Sequence, residues 1–153
     1  MNIVDKIRKW GNLHHPKILD VVRMSLGLFL IVKGYIFLNN AAYLRDLIIE
    51  NKMIRQSPEI ISAIIGYVTY IHLLGGLLIF LGLFTRLGAL LQLPIVFGAV
   101  FLVNILSPFV NSELWLSILV LALLFLFVII GSGPLSLDHL LSSIKLDEDE
   151  THR

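Results

Sequence analysis

The chain has 153 residues, 57% of them hydrophobic and 15% charged, with 12 basic against 11 acidic side chains and no cysteine. A soluble domain carries about 25% charged residues, and one of this size has too little interior to hide so much hydrocarbon, so the composition excludes a water-soluble protein. The net charge of +1 gives no pull toward nucleic acid, and the missing cysteines exclude disulfides, thiolate nucleophiles and cysteine-ligated clusters.

Residues 1–17 read as an amphipathic interfacial segment: Ile3, Val4, Ile7 and Trp10 recur at helical spacing, while Lys6, Arg8 and Lys9 suit anionic headgroups. His14 and His15 are adjacent rather than one helical turn apart, so no metal site is expected there. Residues 18–134 form the membrane domain. Its first span, about 18–38, is apolar but contains Asp20, Arg23 and Lys33. Arg23 is close enough to the start to snorkel, which leaves Lys33 as the charge inside the bilayer that needs a reason. In the following loop, Leu44, Leu47 and Ile48 oppose Arg45, Asp46 and Glu50 on a second interfacial helix.

Three charge-free stretches follow, 60–85, 87–112 and 114–137, each longer than the ~20 residues that cross a bilayer. They predict spans at about 60–84, 87–106 and 113–132. Thr85 is expected as the N-cap of the third span, Ser107-Pro108 breaks that span, and Gly131-Ser132-Gly133-Pro134 ends the fourth. Residues 135–153 complete the chain as an amphipathic segment and charged tail, with Leu137, Leu140, Leu141 and Ile144 in a stripe and Ser136 and Asp138 suited to cap it.

Four crossings put both termini on one side. Lys6, Arg8, Lys9, Lys17, Arg23, Arg86, Lys145 and Arg153 fall on that side, against Arg45, Lys52 and Arg55 on the other, so the positive-inside rule makes both ends cytoplasmic. The expected fold is an all-α four-transmembrane-helix bundle in the cytoplasmic (inner) membrane, surrounded by lipid. Its limited interior favours a homo-oligomer.

Polar groups in hydrocarbon must face the bundle interior, a wet cavity or the interface. Lys33, Thr69, His72, Phe101, Asn104 and Glu113 are grouped by depth and helical phase in the outer half. Pro94, Phe97, Phe101 and Asn104 follow one side of the third span. Together they predict a pocket with aromatic walls and few polar groups, suited to a quinone, a lipid-like molecule or a small anion. The simpler alternatives are a snorkelling Lys33 and polar side chains that bond neighbouring helices. A second cluster, Asp20, Arg23, Arg86, Gln92 and Asp138, is expected at the cytoplasmic end as a structural clasp, with Arg23 or Arg86 pairing Asp138. Glycines 66, 75, 76, 82, 88 and 98 concentrate in the second and third spans, where small residues let backbones touch.

The segment HLLGGLLIFLGLFTRLGALL, from His72 to Leu91, resembles the second hairpin of the DoxX and DoxX-like family, as do Arg23 with Gly27, Lys33-Gly34, and Gly133-Pro134-Leu135-Ser136-Leu137-Asp138. The resemblance implies a four-helix membrane bundle. It also implies a role near redox chemistry, since the founding member is linked to a thiosulfate:quinone oxidoreductase and others are described as membrane parts of redox or stress-response complexes. His72 departs from the family pattern, which carries glutamate before the paired glycines; histidine keeps proton exchange and gives up fixed negative charge.

The expectation is a protein that binds a small hydrophobic or quinone-like ligand in the outer half of its bundle and serves a membrane redox process, with a membrane or cytoplasmic redox partner. No cofactor is fixed by the residues, although a quinone fits. The competing expectation is a non-enzymatic membrane subunit or assembly partner that docks through its interfacial helices.

Overall fold

The computed structural model describes residues 17–50, 57–104, 111–138 and 140, without the side chains of residues 17, 47, 50, 102–104 and 111–113. The stripe expected in residues 1–17, the adjacent histidines 14 and 15, the break at 107–108 and the tail beyond residue 140 lie outside the described residues. The elements are α1 (Lys17–Asn39), α2 (Ala41–Glu50), α3 (Pro58–Leu81), α4 (Thr85–Gly98) continuing into a π-helical segment (Ala99–Asn104), and α5 (Asn111–Ile130). Among the described residues there is no strand. The fold is all-α.

Two stretches, Ile18–Asn39 and Pro58–Leu81, are long and apolar enough to cross a membrane, while Thr85–Phe101 and Leu114–Ile130 are apolar but shorter. Large apolar side chains stay exposed along these helices, including Leu28, Tyr70, Leu74, Leu119, Phe125 and Ile129. Such a surface is stable only against another apolar medium.

α3 begins with Pro58, whose fixed φ and missing N–H suit the first turn. It ends at Leu81, three residues before the expected boundary. Gly82 adopts φ 71°, its N–H donates to the Ile79 carbonyl at 3.2 Å, and the Leu83 N–H donates to the Leu78 carbonyl at 3.0 Å. This pair of bonds closes the helix and satisfies two of its terminal carbonyls. Only three residues separate it from the start of α4. Thr85 is not its N-cap: the cap position falls on Phe84, at φ 46° and ψ 44°, and Thr85 is already helical and buried. A side-chain cap needs an extended residue before the helix, and this tight turn has none there.

α1 packs mainly along α3, and α4 lies between α3 and α5. Leu26, Leu30, Ile79, Ala89, Val96, Val120, Leu124 and Phe127 form the shared core. Glycine sets the spacing at two seams. A methyl group on Gly27 would overlap the Phe80 backbone and lie 2.8 Å from the Gly76 carbonyl; one on Gly88 would lie 3.1 Å from the Gly75 carbonyl. α2 folds over the start of α3, burying Leu44 and Ile48 against Ile61. Leu44 and Ile48 of its apolar stripe therefore meet protein rather than only an interface.

Candidate functional site

Polar side chains gather at both ends of the bundle, with the apolar core between them. At the hairpin end, Arg23 and Asp20 are fully buried. Arg23 Nη1 donates to the carbonyls of Ile79 (2.6 Å) and Phe80 (3.1 Å), while Nη2 donates to Leu135 O (3.0 Å) and to Asp20 Oδ1 (3.4 Å). A guanidinium thus covers the last carbonyls of α3, the negative end of its dipole. Arg86 Nη2 does the same for α5, donating to Ile129 O at 3.1 Å and Ile130 O at 3.4 Å. The Asp138 carboxylate accepts the Phe84 N–H at 3.0 and 3.2 Å, putting negative charge at the start of α4.

The clasp therefore exists with different pairings. Asp138 pairs with neither Arg23 nor Arg86; it bonds Phe84 in the hairpin turn rather than capping the segment after α5. Arg23 takes Asp20, one turn away on its own helix, as its carboxylate. Unsatisfied helix-end carbonyls and amides compete for these charges, and burial makes leaving them unpaired costly. Gln92 lies apart from this cluster, about two turns into α4. It is fully buried, and its Nε2 donates to Ile71 O at 2.9 Å and His72 O at 3.4 Å.

At the other end is a cavity of about 360 Å³. α1 contributes Phe29, Leu30, Lys33 and Phe37; α2 contributes Tyr43, Leu44 and Ile48; α3 contributes Ile64, Tyr67, Val68 and His72. Pro94, Ile95, Val96, Gly98 and Ala99, with Leu116, Ser117 and Val120 of α5, complete it. Lys33 Nζ lies 5.9 Å from the centre of the Phe29 ring. The His72 ring meets Phe37 edge-on, with centroids 5.5 Å apart, and its Nδ1 is 3.0 Å from Val68 O. A carbonyl only accepts, so Nδ1 carries the proton and Nε2 is left as an acceptor. Gly34 draws the two helices together: a methyl group there would lie 3.1 Å from His72 Cβ. Lys33 and His72 are thereby brought to one chamber.

The remaining expected residues are placed differently. Thr69 is buried beside this region, but its hydroxyl donates to Ile65 O of its own helix at 2.8 Å. Pro94 lines the cavity, whereas Phe97 and Phe101 are half exposed and stack on each other with centroids 4.3 Å apart. The inward stripe of this helix is Thr85, Ala89, Gln92, Val96 and Val100, one residue out of phase with the two phenylalanines. The side chains of Asn104 and Glu113 lie outside the described residues. Four aromatic wall residues were not anticipated: Phe29, Phe37, Tyr43 and Tyr67. The four-residue spacing of Phe29, Lys33 and Phe37 was the available signal.

The chamber can hold a mostly apolar molecule and offers it few polar groups. Among the charged or protonatable side chains, Lys33 supplies donors, and His72 supplies an acceptor that can take up a proton. Comparison with curated proteins and with solved structures gives no match. A family model does match, that of DoxX, over residues 18–105, which is more than half of the chain and includes α1, the α3–α4 hairpin and both arginines of the clasp. The chain belongs to the DoxX family and is a membrane protein.

Proposed function

We propose that the protein crosses the cytoplasmic (inner) membrane four times, with both termini in the cytoplasm, and binds a small hydrophobic or quinone-like ligand in the chamber at the α2 end of its bundle, serving a membrane redox process. Lys33 contacts the polar head of the ligand and His72 exchanges protons with it. The distribution of lysine and arginine supports the orientation, and the apolar α4 and α5 supply the two shorter crossings. By that orientation the chamber is in the outer half.

The single observation that carries the reading is the chamber itself. Its volume of about 360 Å³ falls within the roughly 300–1,000 Å³ typical of ligand sites. Its walls combine aromatic and aliphatic side chains with a few convergent polar groups, the composition such sites need.

Gly98 provides the test, because it lines the chamber and a methyl group there would meet nothing within 4 Å. Gly98→Leu is expected to fill part of the chamber, and Gly66→Leu, equally uncrowded at the first carbon but not in the lining, is the control. In phosphatidylcholine nanodiscs, decylubiquinone binding is expected for the unmodified protein and Gly66→Leu and lost in Gly98→Leu. Equal binding by all three overturns the chamber as the site.

A further inference from the structure

Among the described lining residues Lys33 is a cation and none is a carboxylate. Its nearest recorded compensation is the Phe29 ring at 5.9 Å, a weak return for a charge taken out of water. His72 adds the opposite hydrogen-bonding sense: Nδ1 is committed to Val68 O, so the other ring nitrogen accepts. α1 and α3 approach closely at Gly34, next to Lys33, and both Lys33 and His72 line the chamber. A donor carrying positive charge together with an acceptor suits a head group that can both accept and donate, and the positive charge favours one that can also ionise, a carboxylic acid. One of its oxygens accepts from Lys33 and, in the protonated form, its O–H donates to His72.

The chamber also limits the tail. At about 360 Å³ it is at the small end of the range for ligand sites, which suits one hydrocarbon chain rather than two. We propose that the chamber binds a single-chain amphiphile with a carboxylic acid head, the head held between Lys33 and His72 and the chain among Phe29, Phe37, Ile48 and Val120. This deepens the chamber reading above and rests on it.

Three probes of equal chain length separate the contributions: dodecanoate, dodecanol and methyl dodecanoate, titrated by native mass spectrometry into phosphatidylcholine nanodiscs holding the full chain. Dodecanoate is expected to bind about tenfold more tightly than the ester, the size of effect one charged hydrogen bond gives. Lys33→Met is expected to bring dodecanoate down to the level of dodecanol, and His72→Phe to bring dodecanol down to the level of the ester. Ester binding in both variants reports that the chamber is intact.

Equal binding of acid and ester by the unmodified protein overturns the carboxylic acid assignment while leaving the chamber reading in place. Failure of the ester to bind, with decylubiquinone also failing, overturns both. Discs of phosphatidylglycerol separate a free acid from a lipid headgroup: unchanged dodecanoate binding supports the single-chain ligand, and its displacement assigns the site to lipid and overturns it.

Discussion

Asp20 and Arg23 grip opposite sides of one residue: the Asp20 carboxylate accepts the Leu135 N–H at 3.1 Å, and the Arg23 guanidinium donates to the Leu135 carbonyl at 3.0 Å. Both side chains are fully buried one turn apart on α1, so the start of the chain's first described helix holds the stretch that follows its last. Arg23→Met removes four bonds, the ion pair with Asp20 among them. The expected loss is about 3–5 kcal/mol, the cost of breaking a buried pair from one side. Adding Asp20→Asn to that variant is expected to cost less than the two single effects summed, because both changes remove the same ion pair. Thermal unfolding in mild detergent, run as a double-mutant cycle, checks this.

Gly82 is the second sensitive point. It is held at φ 71°, and a methyl group there would lie 2.6 Å from Arg23 Nη1 and 2.6 Å from Ser136 Cβ. Gly82→Ala combines a left-handed backbone, costing about 1–2 kcal/mol for an L-residue, with displacement of the buried guanidinium. Gly66→Ala, inside α3 with nothing within 4 Å, is expected to raise stability by up to about 1 kcal/mol. Opposite shifts of the unfolding midpoint are the predicted result.

Among the described residues, Asp138 bonds through its carboxylate to the Phe84 amide in the hairpin and through its own N–H to Gly82 O at 3.4 Å. Asp138→Ala is expected to cost about 0.5–2 kcal/mol, the range for losing a helix cap. Asp138→Asn keeps an acceptor and is expected to recover most of it. Hydrogen exchange of the Phe84 and Thr85 amides should rise in the alanine variant before the rest of α4 changes.

Gly27→Ala tests the α1–α3 seam. The added carbon would run into the Phe80 backbone, which cannot step aside as a flexible side chain would. Overpacking of this kind costs about 1–3 kcal/mol. An undiminished unfolding midpoint in this variant would show that the helices are further apart than described.

Much of this was legible in the sequence because it depends on composition and local pattern. The paired glycines announced close helix contacts, and Asp20, Arg23, Arg86 and Asp138 did converge on one end. Their partners were less legible: charges read as ion pairs prefer the unpaired carbonyls and amides at helix ends, which a sequence does not display as targets. Thr85 looked like a cap because nothing in the sequence shows that Phe84 turns left-handed. The phase of α4 was anchored on Pro94 and Asn104, whereas Gly88, Ala89 and Gln92 set it by packing on Gly75 and Ile79, which turns Phe97 and Phe101 outward. Lys33 and His72 were found because ionisable groups in a hydrophobic helix are conspicuous; the aromatic walls around them are not.

The glycine contact between α1 and α3 also decides which way the molecule can breathe. Where backbone rests on backbone, at Gly27 and Gly76, there is little side-chain layer to slide between these two helices. The opposite flank is built differently: Pro94 removes one helical hydrogen bond and the π-helical turn from Ala99 to Asn104 resets the ladder. That flank is the part of the chamber wall least tied by its own backbone hydrogen bonds.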